Sequence, residues 1–290
     1  MAAIFFAFFA AATGGMRRAA WRGLTPRHVL GAGLCMAVYN LAFFAGVRLA
    51  GVAAGTAIAL GSGPIWAGLL QALVQRVPPA PTWWAATAVA VTGGVLLSAH
   101  GRASAAPLSG WGIALCLAAG LAYAAYTLLN KRMIATAPAG TITLAAFGIA
   151  AALALPAAWA GAGAPTPGAR DVVALAYTGI VTAGIAYLLF SHALHHISPA
   201  TGVSLALGEP AVAFVLATTV LGEHASAAAV AGLLLVIAGV VGVVRAELGG
   251  RPRDLPTGPD PSRVLSAPES PGTRARRHPA CRSRRSGPWH

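Results

Sequence analysis

The chain has 290 residues, of which 57% are hydrophobic and 9% charged, and its mean hydropathy is +0.71. A soluble globular domain carries about 25% charged residues, so this composition excludes that class and indicates a polytopic membrane protein. The formal net charge of +13 does not indicate nucleic-acid binding, because it is divided between a tail and the edges of apolar runs. From Arg245 onward, ten Arg accompany four acidic residues, and the preceding part holds ten Lys and Arg against three acids.

The N-terminal segment 1–16 is apolar but shorter than the roughly 20 residues of a membrane-spanning helix. Its positive charges, beginning with Arg17, follow the segment, which argues against a cleaved signal peptide and predicts a helix whose C-terminal end faces the cytoplasm. The sequence therefore predicts an all-α transmembrane bundle of about nine helices. After the first, the spans are expected at approximately 28–47, 52–75, 82–100, 108–129, 140–160, 171–194, 199–221 and 225–244.

Basic residues between the spans predict the orientation. Three of them fall in loops on one side: Arg48, Arg102 and Arg170. Seven fall on the other side: Arg17, Arg18, Arg22, Arg27, Arg76, Lys131 and Arg132. The side with more positive charge is normally cytoplasmic. We therefore expect a multi-pass protein of the cell (plasma or inner) membrane, with its N-terminus outside and its C-terminal tail in the cytoplasm.

One carboxylate lies inside an apolar run. Among the three acids before Arg245, Asp171 and Glu223 fall between runs, whereas Glu209 lies near the middle of Ser198–His224, beside Pro210. A charge at mid-membrane costs roughly 3 kcal/mol or more, so such a group normally faces protein, water or a permeant. Glu209 is a candidate site for a proton or a substrate amine. The alternative is a permanently protonated side chain hydrogen-bonded between helices.

An internal repeat organises the chain. A gap-free shift of 146 positions aligns Phe44 with Phe190, Pro64 with Pro210 and Gly93 with Gly239. The shift carries one helix to its copy five helices later, so the copies must cross the membrane in opposite directions. Inverted repeats of this kind are typical of secondary transporters, whose binding sites lie where the repeats meet. The sequence thus predicts a first repeat at 1–100, a second at 101–245 and a binding site near the two prolines.

Residues 246–290 are rich in Pro, Arg and Ser and nearly devoid of large apolar side chains, so we expect a disordered basic cytoplasmic tail. Two readings of the tail stay open. It either contacts anionic lipid headgroups or is a solvated extension without function.

Several motifs of the second half occur in a characteristic order. They are Leu207-Gly-Glu209-Pro210, Leu221-Gly222-Glu223 and a glycine-rich apolar helix from Ala231 to Val240. In these features the chain resembles the EamA-type transporters of the drug/metabolite transporter superfamily, over about residues 1–244. The resemblance implies two five-helix halves, of which the first helix is missing here and the second shortened. In the first half, Gln75-Arg76-Val77 stands where that family has Gly-Glu.

The helix predicted at 108–129 and its cytoplasmic end carry Tyr123, Tyr126, Thr127 and Asn130 at positions that share one helical face. Such a stripe either faces a cavity or forms interhelical hydrogen bonds, and both remain open for Tyr126. Candidate cavity residues from the whole chain are Glu209, Pro210, Pro64, Trp66, Asn40, Tyr123, Tyr126 and Tyr187.

Other chemistry finds little support. His192, His195 and His196 lie near a helix end without a neighbouring Cys or carboxylate, so no metal site is predicted. The three cysteines show no disulfide or metal spacing. No hydrolase or nucleotide-binding motif is present, so we predict neither an enzyme nor a cofactor.

The function predicted is a secondary carrier that exports or exchanges a small metabolite, amino acid or drug-like solute by alternating access. Its partners would be the solute and the lipid bilayer, with protons as a candidate coupling ion and no nucleic acid. A homodimer is left open. The alternative is a non-transporting or truncated membrane helix bundle with a structural role.

Overall fold

A computed structural model describes residues 1–100, 109–162, 168–220, 222 and 224–249. Every regular element within these ranges is helical, which confirms the all-α prediction. The described part belongs to one compact unit, Met1–Arg251. Glu223 and residues 250–290 lie outside the described residues, whereas residues 246–249 of the predicted tail form the last turn of the final helix.

The helices follow the predicted order. In the first half they are α1 (Ala2–Ala12), α2 (Arg18–Trp21), α3 (Pro26–Ala50), α4 (Val52–Leu70) and α5 (Pro81–His100). In the second half they are α6 (Gly110–Met133), α7 (Ala139–Ala162), α8 (Ala169–Tyr177), α9 (Ala186–Ala193), α10 (Pro199–Leu205), α11 (Gly208–Val220) and α12 (Ala227–Gly249). Two π-helical segments extend them: Gln71–Gln75 continues α4, and Thr178–Ile185 joins α8 to α9.

Seven helical segments of the described ranges are long and apolar enough to cross a membrane. The helix α5 is also 20 residues long but is not among these seven, and α1 is a shorter apolar helix of 11 residues. With these two, the nine predicted segments are all helical. Large apolar side chains such as Phe8 and Trp111 are 74% and 69% exposed, as expected for a surface that faces lipid.

Helix boundaries follow local chemistry. Pro26 and Pro199 occupy the first turns of α3 and α10, where a missing backbone N–H costs nothing. The Ser198 hydroxyl accepts a hydrogen bond from the Thr201 N–H at 3.2 Å and caps α10. Between α3 and α4, Gly51 has φ of 83°, a conformation that L-residues with a side chain rarely adopt.

Small residues allow α5 and α12 to pack closely. A Cβ atom added at Gly93 would lie 2.6 Å from the carbonyl oxygen of Gly232, and one at Gly239 would collide with the backbone of Ala90. Such backbone approach is the usual basis of helix association in membranes, where burial of apolar surface from water provides no driving force.

The short connections place alternate helix ends together. We call one end of the bundle the Ser198 end, because the first turn of α10 lies there with the C-terminal parts of α6, α9 and α12. The opposite end, where α3 meets α4 at Gly51, is the Gly51 end. At the Ser198 end, Ser198 contacts Glu247, and Lys131 contacts the Leu194 carbonyl, so these helix ends are held together.

Candidate functional site

The helix that carries Glu209 is interrupted. The sequence predicted one continuous span at 199–221, but α10 ends at Leu205 and α11 begins at Gly208. Pro210 has no N–H to donate to the carbonyl of Ala206, one turn earlier. The Glu209 N–H donates to the Ala206 carbonyl instead, at 3.0 Å. The carbonyl that Pro210 leaves without its usual helical donor therefore has a partner in a tighter turn.

A cavity of about 370 Å³ opens beside this break. Its lining comes from α3, α4, α6, the Thr178–Ala193 region and the α10–α11 junction. The lining residues are Tyr39, Leu60, Tyr123, Thr182, Ala186, Tyr187, Phe190, Ala206 and Glu209. Glu209 is the one charged residue among them, and it lies in the first turn of α11, where the helix dipole favours negative charge.

Four aromatic rings form a continuous arc along the lining. The ring centroids of Tyr39 and Tyr123 are 5.3 Å apart, those of Tyr123 and Phe190 6.1 Å, and those of Phe190 and Tyr187 6.3 Å. Phe147 supports the arc from behind, with its centroid 4.9 Å from that of Tyr187. These separations are typical of interacting aromatic pairs. We refer to Tyr39, Tyr123, Phe190 and Tyr187 as the aromatic arc.

The cavity lies at mid-depth. Tyr39, Leu60 and Glu209 are each near the middle of their respective membrane spans. Pro64 removes the helical donor for the Leu60 carbonyl, so the first repeat also has a weakened backbone beside the cavity. Binding at such a position, beside an interrupted helix, is typical of secondary transporters.

The polar stripe of α6 divides between two roles. Tyr123 lines the cavity, whereas Tyr126, Thr127 and Asn130 are fully buried. The Asn130 Nδ2 donates to the Ser191 hydroxyl at 2.9 Å and to the Tyr126 hydroxyl at 3.1 Å. The structure therefore places Tyr126 and Asn130 in an interhelical network that connects α6 to α9.

The remaining sequence candidates lie around the cavity without lining it. Pro210 borders a small adjoining space of about 10 Å³, and Pro64 is buried. Trp66 packs against a cluster that contains Ala67 and Trp83. Asn40 is partly buried, and its side chain donates to the carbonyl of Met36 at 2.8 Å.

Several lining residues were not predicted. Tyr39 directly precedes the predicted Asn40. Neighbouring residues of a helix point in directions about 100° apart, so the two side chains face different surroundings. Phe190 is three residues after the predicted Tyr187, a spacing that shares one helical face and could have indicated it. Leu60, Thr182, Ala186 and Ala206 carried no signal, because small and apolar residues occur throughout the spans.

A second polar cluster lies at the Ser198 end, where Glu247 of α12 binds the first turn of α10. Its carboxylate accepts hydrogen bonds from the Ser198 N–H at 2.9 Å, the Ser198 hydroxyl at 2.8 Å and the Thr201 hydroxyl at 2.6 Å. Thr201 also accepts from the Trp83 Nε1–H at 3.1 Å. Gln71 accepts from the Ala200 N–H at 3.1 Å through its side-chain oxygen. We call these residues the Ser198 network.

The three histidines lie near the same end and are exposed. The ring centroid of His192 is 5.6 Å from that of His195 and 6.0 Å from that of His196. Within the part of the chain that the structure describes, no group of three or more His, Cys, Asp or Glu is arranged to hold a metal ion.

Comparison with known proteins relates this arrangement to a family. The sequence profile of the EamA-like transporter family matches residues 110–245. The uncharacterized transporter YwfM of Bacillus subtilis (strain 168) is 34% identical over 213 residues, which cover 72% of this chain and 70% of that protein. A solved protein crystal structure superimposes with a TM-score of 0.72 at 18% identity, covering 85% of this chain and 84% of that one. At this identity the structural likeness concerns the fold alone.

Proposed function

This chain belongs to the EamA-like transporter family, and on that premise we propose that it is a secondary carrier working by alternating access. The cargo is a small solute that binds in the cavity beside Glu209. The observation that carries the proposal is a mid-depth cavity of about 370 Å³, lined from both predicted repeats and adjoining an interrupted helix.

Packing between α5 and α12 supports the inverted repeat on which alternating access depends. A Cβ at Gly93 would lie 2.6 Å from the backbone nitrogen of Val236, and one at Gly239 would collide with Ala90. Under the 146-residue shift, Gly93 corresponds to Gly239 and Ala90 to Val236. Each contact is therefore the image of the other, as in an interface that contains a two-fold axis.

The two ends of the bundle differ in a way that supports a state closed at the Ser198 end. Residues Pro199–Ser204 are buried, and the Ser198 network connects α10 to α12 and to both ends of the Gln71–Trp83 connection. Towards the Gly51 end, α8 has no buried residue, and no network comparable to the Ser198 network joins the described helices there. Transport would require the Ser198 network to open while the Gly51 end closes.

Glu209 is the proposed site of charge coupling. Its side chain is exposed at the cavity rather than held between helices, which favours exchange with solvent or cargo over a permanently protonated structural role. A proton and a cationic cargo would compete for the Glu209 carboxylate. Binding of one would release the other, so the carrier would exchange protons for cargo. The proposed location is the cell membrane, with the Ser198 end and the tail in the cytoplasm.

The test is efflux of labelled amino acids and cationic drugs from cells expressing Glu209→Gln, at two external pH values. Gln preserves shape and hydrogen bonding but cannot exchange a proton, so we expect normal expression and loss of pH-dependent efflux. Glu223→Gln is the matched control, and its effect should be smaller. Unchanged pH-dependent efflux in Glu209→Gln would refute the coupling role. A folded wild-type protein that moves none of these solutes would favour the alternative of a non-transporting bundle.

A further inference from the structure

We propose that the cavity selects a small hydrophobic monocation, such as an arylalkyl amine or quaternary ammonium, over a zwitterionic amino acid. This inference rests on the proposed function only in taking the cavity as the cargo site. It decides between cargo classes that the sequence left open, and three observations carry it: the charge of the lining, its aromatic content and the cavity's size.

Among the described residues, the lining of the cavity has one charged side chain, and it is acidic. That side chain is the carboxylate of Glu209. None of the other eight lining residues is Lys, Arg or His. An ammonium group can therefore pair with the carboxylate. The carboxylate of an amino acid would find hydroxyl groups and the first turn of α11 but no described cationic side chain, and it would share the cavity with the like charge of Glu209.

The aromatic arc offers a second interaction that is specific for cations. Ring faces carry a negative potential that attracts ammonium groups, including quaternary ammonium groups that cannot donate a hydrogen bond. Contact between successive rings, at centroid separations of 5.3, 6.1 and 6.3 Å, gives a continuous aromatic wall. An aryl or alkyl substituent of the cargo would pack on the same wall and on Leu60 and Ala186.

The size of the cavity limits the cargo. A volume of about 370 Å³ lies at the small end of the roughly 300–1,000 Å³ that is typical of small-molecule pockets. Benzyltrimethylammonium, phenethylamine and phenylalanine are all of this size class. They share a phenyl ring and differ in charge, so they separate the effect of charge from that of volume.

The experiment measures binding of these three probes by calorimetry to the purified full-length protein in lipid nanodiscs. We expect both cations to bind at least about tenfold more tightly than phenylalanine, because only phenylalanine brings a second carboxylate into a cavity whose described lining has no cationic side chain. Glu209→Gln should weaken binding of both cations by at least about tenfold, since the attraction between opposite charges is lost.

A matched pair of substitutions tests the aromatic arc. Tyr39→Phe keeps the ring and is the reference for benzyltrimethylammonium binding. Tyr39→Leu removes the ring and should weaken that binding roughly fivefold. If Tyr39→Leu fails to fold in detergent, the pair Phe190→Tyr and Phe190→Leu makes the same comparison from a different helix.

Two outcomes would overturn the proposal: phenylalanine binding as tightly as the cations, or equal cation binding in the Phe and Leu variants of a folded pair. Flux into proteoliposomes separates this inference from the carrier function. Cation binding without any flux would leave the binding preference standing and refute the carrier. Phenylalanine flux that benzyltrimethylammonium fails to inhibit would support the carrier and refute the cation preference.

Discussion

Replacing Glu247 with Gln should loosen the Ser198 end. The carboxylate accepts three hydrogen bonds from the first turn of α10, at 2.9, 2.8 and 2.6 Å. Gln retains one oxygen acceptor, but its NH₂ group cannot accept from Ser198 or Thr201. Hydrogen bonds to charged groups contribute about 1.5–3 kcal/mol each, and partial exposure of Glu247 reduces that value.

We expect a net loss of about 2 kcal/mol from the state closed at the Ser198 end. Because 1.4 kcal/mol corresponds to a tenfold change in an equilibrium, the population open at this end should rise by roughly thirtyfold. This estimate treats the network as absent from the open state, because the proposed transport cycle requires α10 and α12 to separate.

Ser204 reports the change. It is fully buried between the Ser198 network and the cavity, and its hydroxyl lies 3.5 Å from that of Thr87. The assay uses Ser204→Cys in a background without Cys35, Cys116 and Cys281, with a membrane-impermeant thiol reagent applied to inside-out vesicles. The labelling rate should rise by roughly thirtyfold in Glu247→Gln, in proportion to the open population.

The matched control is Asp171→Asn. That carboxylate accepts from the Gly168 N–H at 3.0 Å within the first turn of its own helix, towards the Gly51 end, so it connects no two helices. It should leave Ser204→Cys labelling unchanged. A change of less than about twofold in Glu247→Gln, as for an exposed ion contact of little energetic value, would refute the proposed role of Glu247 in closing the Ser198 end. An equal rise in both variants would show that labelling reports general loosening.

Three further predictions concern packing, buried polarity and topology. Gly239→Leu should lower the free energy of unfolding by about 1–3 kcal/mol, because the side chain would collide with Ala90. Thermal unfolding in detergent measures this loss. Gly249→Ala is the control and should be neutral, because its added Cβ would have no described atom outside its own helix within 4 Å. Asn130→Leu should cost about 1 kcal/mol by removing the bonds to Ser191 and Tyr126. The control is Thr219→Val, because the exposed Thr219 hydroxyl donates to a carbonyl of its own helix. A loss of stability in Asn130→Leu no larger than that in Thr219→Val would contradict a stabilising role of the Asn130 hydrogen bonds. Reporter fusions after Gly163 and Gly250 should lie in opposite compartments, and a shared compartment would contradict the inverted repeat.

The sequence by itself determined the helical segments, because hydropathy and charge act locally and a bilayer admits few alternatives to helices. It also identified Glu209 as unusual, since a carboxylate inside an apolar run stands out without any knowledge of its neighbours. The structure places Glu209, Tyr123 and Tyr187 around one cavity, and their roles in transport remain predictions.

The tertiary structure alone decided which face of each helix lines the cavity. The α6 stripe was predicted to share a face, yet only Tyr123 reaches the cavity, because the packing of α6 against α9 buries Tyr126 and Asn130. The packing of α3 likewise decides that Tyr39 lines the cavity while Asn40 does not, which the sequence could not show. Glu247 and Ser198 are 49 residues apart. Their contact depends on where α12 ends relative to α10, which is set by the backbone approach at glycines such as Gly239 and not by any local pattern.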